Sequence, residues 1–91
     1  MEDNHPFFVY VIESQDGLRY IGQTVDLAKR LEQHNQGLNF WTRRRQDWRL
    51  IYHESHPTRK EAILCERFLK SGQGRAWLKT HLLRQIGSLG S

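Results

Sequence analysis

Five side chains of this 91-residue chain are of types that do chemistry, at spacings that simple elements can gather. Tyr10 and Tyr20 stand in the two arms of "VYVIESQDGLRYIGQT", apolar runs on either side of an Asp-Gly turn. Arg30 and His34 are four residues apart, which makes them neighbours on one face of a helix. Glu66 falls inside an arc otherwise made of Ala62, Ile63 and Leu69. Phenols and an imidazole can hold and pass protons, and a guanidinium can grip an oxyanion. A carboxylate in an apolar arc calls for a cation, a partner or a proton. Each residue also has an inert reading. Tyrosine is a good strand former, an arginine can pack its stem with its head in water, and Glu66 can pair with Lys70 one turn on.

The register of the hairpin decides whether the phenols can cooperate. A two-residue Asp16-Gly17 loop puts Tyr10 and Tyr20 on opposite faces, because a one-residue shift flips every side chain. A three-residue Gln15-Asp16-Gly17 loop, with Gly17 in the left-handed position, pairs Ile12 with Tyr20 and Tyr10 with Gly22. Both hydroxyls then share a face beside a hollow floored by Gly22.

The elements that position these groups follow from local chemistry. Phe7 to Ile12 is an aromatic and β-branched run suited to a central strand, and Leu18 to Gln23 returns as the second. Thr24 can cap a helix over Val25 to Gln36, with Asp26 in its first turn and Gly37 at a left-handed C-cap. Trp48 to His53 predicts a third strand. Thr58 and Glu61 have capping-box spacing at the start of a second helix. Ser71-Gly72-Gln73-Gly74 breaks it, and Arg75 to Ile86 resumes helical spacing. The order ββαβαα predicts an α/β (α+β) domain with a small, mainly antiparallel three-stranded sheet flanked by helices. Residues 1–86 are expected to form one domain, with 87–91 a flexible tail.

Between the first helix and the third strand runs "LNFWTRRRQD", Leu38 to Asp47. Trp41, Arg43, Arg44 and Arg45, with Trp48 beyond them, interleave aromatic rings and cations as a nucleic-acid-binding surface does. Lys70 and Arg75 extend that candidate set. "HESH", His53 to His56, is not a zinc-protease pattern, which needs its histidines one turn apart on a helix; it is set aside as a metal site.

Composition agrees with an anionic partner: 14 Lys and Arg against 10 Asp and Glu give a formal charge of +4. Cys65 is the single cysteine, so an internal disulfide and a multi-cysteine zinc site are both excluded. No apolar run approaches the roughly 20 residues of a membrane span, and Met-Glu-Asp-Asn is unlike a signal peptide. The cytoplasm is the expected location.

Taken in order, Val9-Tyr10-Val11, Tyr20-Ile21-Gly22, Arg30, His34 and Glu66 resemble the GIY-YIG nuclease domain, over nearly the whole chain. The second motif is complete, and the first has valine in place of glycine and isoleucine. "LKSGQGRAWL", Leu69 to Leu78, looks like the end of the short stand-alone members. The resemblance implies divalent-metal-dependent hydrolysis of DNA phosphodiesters, on branched or single strands among others, in repair or recombination. By that resemblance Glu66 binds Mg²⁺ or Mn²⁺, and Tyr10 helps activate water with Tyr20 and His34 around it. Arg30 holds the scissile phosphate. Many members also carry a late asparagine, whereas Asn4, Asn35 and Asn39 all precede the third strand here. The alternative is therefore a weak or inactive nucleic-acid-binding module of the same fold. A protein partner supplying specificity is a third expectation.

Overall fold

The computed structural model describes residues 6–90, with residues 86–90 by their backbone alone. Six elements follow one another: β1 (Phe7–Glu13), β2 (Arg19–Thr24), α1 (Leu27–Asn35), β3 (Arg49–His56), α2 (Arg59–Lys70) and α3 (Gly72–Gly90). The sheet order is β2-β1-β3, and both pairings are antiparallel. The most apolar strand is thus the central one, which lets it bury both faces. Val9 and Val11 point to one side, against Ala62 and Leu69 of α2 and Leu78 of α3. Tyr10 and Ile12 point to the other, where Trp48 and the α1 residues Leu27 and Leu31 pack.

The helix ends differ in detail from the spacing-based expectation. Thr24 does not cap α1, because its backbone is still committed to the ladder opposite Phe8. Its hydroxyl accepts instead from the Asp26 amide at 3.1 Å, and Asp26 is the cap, its carboxylate accepting from Lys29 N at 3.1 Å. Gly37 does close the other end, with φ +78°. Thr58 caps α2 through the Glu61 amide.

The break between α2 and α3 is a single residue. Ser71 is extended, its hydroxyl accepts from Gly74 N at 3.1 Å, and α3 starts at Gly72 rather than Arg75. A side chain on Gly74 would place its Cβ 1.8 Å from the Phe68 carbonyl oxygen, so glycine is what allows so tight a junction. The helix also continues past Ile86 through Gly90, over four of the five residues expected to form the tail. Ser91 and residues 1–5 of the expected domain lie outside the described residues.

β3 starts one residue late and runs to His56, with an irregularity opposite Val11 and Ile12. Tyr52 pairs with Val11 and Leu50 with Ile12, leaving Ile51 as the extra residue. The bulge lets Ile51 and Tyr52 both join the α2 side of the core, while Trp48 before it reaches the α1 side. Among the described residues, no helix is long and apolar enough to cross a membrane.

Candidate active site

The hairpin adopts the three-residue loop. Ser14 N donates to Leu18 O at 2.9 Å, closing Gln15 to Gly17, and Gly17 has φ +88°. Tyr10 therefore faces Gly22 and Ile12 faces Tyr20, and the two phenol rings lie 6.4 Å apart on the α1 side. Gly22 is demanded by space. A Cβ there would meet the Tyr10 hydroxyl oxygen at 2.8 Å, its Cζ at 3.0 Å and Tyr20 Cε2 at 3.1 Å. The turn is tied to the distant loop as well: Arg45 grips Asp16 with its closest contact at 2.7 Å, and Gln15 N donates to Asp47 at 2.9 Å. The Arg45 and Ser14 hydrogen bonds hold the Asp16 carboxyl well below the usual carboxylate range.

His34 completes a trio with buried Tyr10 and half-buried Tyr20. It is 1% exposed, its Nε2 lies 2.8 Å from the Tyr10 hydroxyl, and its ring is 5.0 Å from that of Tyr20. Nδ1 lies 2.6 Å from the hydroxyl of Thr42, itself buried. The Thr42 backbone is fixed in turn, its N–H donating to Asn39 and its carbonyl accepting from Trp48 Nε1 at 2.9 Å. Burial, then the Arg30 charge, lowers the His34 pKa from its ordinary value, so the imidazole is neutral at neutral pH. Burial and Tyr20 raise the Tyr10 pKa, against the pull of Arg30 and with the help of Glu66. A neutral phenol and a neutral imidazole thus share one hydrogen bond.

Arg30 and Glu66 approach this trio from opposite sides of the sheet. Gln23 is the bridge: it follows Gly22 on the edge strand and, being opposite Val9, faces α2. Its Nε2 donates to Glu66 Oε1 at 2.8 Å, while Lys70 Nζ holds Oε2 at 2.6 Å. Burial pushes the Glu66 carboxyl up, but the hydrogen bonds from Lys70 and Gln23 outweigh it and lower the pKa, so the group is ionised. Gln23 Oε1 and Arg30 Nε are both buried without a partner, and both residues line one depression with Thr24 and Val25. One is an unused acceptor and the other an unused donor. Buried polar groups are seldom left so unless something else completes them.

The candidate nucleic-acid residues divide. Trp41 is 63% exposed with the Arg44 guanidinium 4.8 Å over its ring, and Arg43 stacks on exposed Phe40 at 4.6 Å. Trp41 and Tyr20 also wall a groove of about 610 Å³ whose floor is Ile21, Leu69 and Leu78. Arg19, Lys70, Arg75 and Lys79 line it too, so an apolar floor is edged with cations. Trp48 is a correction: it is 4% exposed and packs in the core, because the bulge in β3 turns it onto the α1 side. Arg45 is engaged with Asp16 and staples the loop to the hairpin turn.

Within "HESH" the two histidines part company. His53, opposite Tyr10, faces the α1 side, where it meets Phe8 at 6.2 Å, whereas Glu54 and His56 face α2. There they join Cys65, with one donor atom from each within 4.8 Å of the others. Thr42, Gln23 and this cluster escape sequence reasoning for different reasons. Thr42 looks like loop filler. Gln23 was legible only through register, as the neighbour of Gly22. Glu-x-His on a strand becomes a donor pair only once α2 brings Cys65 over it.

A family model described as the GIY-YIG catalytic domain matches residues 6–79. The chain is 41% identical over 71 residues to the UPF0213 protein YazA of Bacillus subtilis, covering 77% of this chain and 71% of that protein. It is 40% identical over 68 residues to a UPF0213 protein of Streptococcus pneumoniae, covering 74% and 69%. The solution NMR structure of the UPF0213 protein BH0048 from Bacillus halodurans is similar, with TM-score 0.52 and 31% identity over 82% of this chain and 83% of that one.

Proposed function

The chain belongs to the GIY-YIG nuclease family, and on that premise we propose that it is a divalent-metal-dependent endonuclease hydrolysing DNA phosphodiester bonds, with residues 1–86 as its one catalytic domain. The observation that carries this reading is the pair of unpartnered buried atoms, Arg30 Nε and Gln23 Oε1, on residues that line one depression. A bound phosphate completes the donor, and a hard cation completes the acceptor.

The protein's own groups then divide the work. Arg30 presents its planar fork to the phosphate and opposes the charge that builds in the transition state. With the Tyr10 proton directed at His34 Nε2, the Tyr10 oxygen is left to take a proton from the attacking water as its own passes to the imidazole. The neutral state of His34 and its 2.6 Å contact to Thr42 keep it ready for that transfer. A phenol this hard to ionise is a poor base alone, so the relay through His34 is what makes it useful. Tyr20 packs on both rings and restricts them. Glu66 and Gln23 would hold Mg²⁺ or Mn²⁺ through the oxygen donors that such hard ions prefer. The cation supplies neutralisation of the phosphate charge.

DNA reaches this site along the groove walled by Trp41 and Tyr20. Lys70 and Arg75 meet phosphates there, Arg43 and Arg44 extend the cationic surface from the Trp41 loop, and Trp41 offers a ring to an unstacked base. Such a surface suits strands with unpaired bases, as in branched or single-stranded DNA.

Cleavage of plasmid, branched and single-stranded DNA with Mg²⁺ or Mn²⁺ tests the reading. Arg30→Ala and Glu66→Gln should each lose about 10²- to 10³-fold in kcat, the range for removing a transition-state charge partner. Salt-dependent binding with no cutting of any substrate by the wild-type chain would sink the catalytic assignment and leave a binding module.

A further inference from the structure

We propose that Glu54, His56 and Cys65 form a site for Zn²⁺ or a similar borderline divalent metal, separate from the Glu66 carboxylate. The three donor atoms lie within 4.8 Å of one another, and His56 Nε2 is 3.0 Å from Glu54 Oε1. Metal bonds of about 2.0 to 2.3 Å in a tetrahedral shell set neighbouring donors roughly 3.3 to 3.8 Å apart. Side-chain torsions alone can therefore close the shell. The donor set also selects the metal: a thiolate and an imidazole beside one carboxylate suit zinc, and Mg²⁺ avoids them.

The surroundings are those of a supported site. Tyr52 donates its hydroxyl to Glu54 Oε2, holding the second carboxylate oxygen away and leaving Oε1 toward His56. Glu61 Oε1 lies 3.9 Å from His56 Nδ1, where a carboxylate can orient a ligating imidazole by its other nitrogen. Cys65 shares the sheet-facing stripe of α2 with Ala62 and Leu69. On binding, the Cys65 thiol releases its proton to solvent and its sulfur enters the shell, with water as the fourth ligand.

The position gives the site a purpose. Val9 is flanked by Gln23 on β2 and Glu54 on β3, so the two partners of α2 are two strand spacings, about 10 Å, apart. Cys65 and Glu66 are consecutive, one directed to each edge. A metal clipping Cys65 to β3 fixes the rotation of α2 that presents Glu66 to Gln23.

Chelator-stripped full-length protein, titrated with Zn²⁺ against a chromophoric competitor, should bind one equivalent with micromolar affinity or better. Co²⁺ should give a thiolate-to-cobalt charge-transfer band in the near ultraviolet. Cys65→Ser should abolish that band, His56→Gln should weaken zinc binding at least tenfold, and Glu66→Gln should leave both unchanged. Circular dichroism checks folding; if Cys65→Ser unfolds, the His56→Gln affinity decides. No zinc uptake in the micromolar range, a cobalt spectrum without the thiolate band, or affinity that follows Glu66→Gln instead overturns the site.

Discussion

Replacing Gly22 by alanine tests whether the hollow between the phenols is a functional dimension or spare room. The new Cβ would lie 2.8 Å from the Tyr10 oxygen, about 0.6 Å inside the 3.4 Å at which ordinary contact begins. Tyr10 is only 3% exposed, and its hydroxyl is already 2.8 Å from His34 Nε2, so the ring has little freedom to yield. A shift of that size carries the bond past roughly 3.2 Å or drags the imidazole from Thr42. Overpacking costs about 1–3 kcal/mol, and the stiffer unfolded chain offsets about 0.4–1 kcal/mol of it. The variant should therefore stay folded at 25 °C. Its kcat should nonetheless fall about 10- to 100-fold, because displacement of a reacting group by about 1 Å costs about 10²-fold. Initial rates at saturating DNA and metal, with circular dichroism as the folding control, measure this. Tyr10→Phe supplies the second arm: with the hydroxyl gone, adding Gly22→Ala should cost little more. A folded Gly22→Ala protein cutting at the wild-type rate, or a double variant losing the full product of both effects, would refute the link between Gly22 and the Tyr10–His34 bond.

Two further outcomes follow from the same geometry. His34 takes up a proton less readily folded than unfolded, so below about pH 6.5 the unfolded chain binds more protons and stability falls with pH, at up to about 1.4 kcal/mol per unit. Denaturant melts from pH 7.5 to 5 should show this slope and its loss in His34→Gln; identical slopes would mean that His34 is not held neutral by its burial and the Arg30 charge. Gly74→Ala forces a Cβ against the Phe68 carbonyl, 1.8 Å away, and should cost about 3 kcal/mol or more, a fall in Tm of roughly 15 °C. A thermal melt unchanged by that substitution would show that α2 and α3 do not depend on the tight junction.

How much of this was legible in the chain differs from residue to residue. The three strands, the caps at Thr58 and Gly37 and a turn at Asp16-Gly17 rest on local chemistry, so spacing alone was enough to expect them. Tyr10 facing Gly22 was one of two registers the turn chemistry allowed, because turn length sets hairpin register and register sets which face a side chain takes; the Ser14–Leu18 closure selects it. The cap at Asp26 and the early start of α3 depend on where the ladder releases Thr24 and on one serine closing a helix end, competitions among neighbours of similar propensity.

What the tertiary structure alone decided is which groups meet across elements. Trp48 and Trp41 are chemically alike in the sequence, yet a bulge at Ile51 buries the first while the second stays on the surface. Thr42 gained its place behind His34 only when the loop folded over α1, and Cys65 met Glu54 and His56 only when α2 lay across β3. Turn chemistry acts over a few residues and can be read along the chain. Packing joins residues far apart in sequence, and the partner of a buried imidazole, thiol or carboxylate is fixed by that packing.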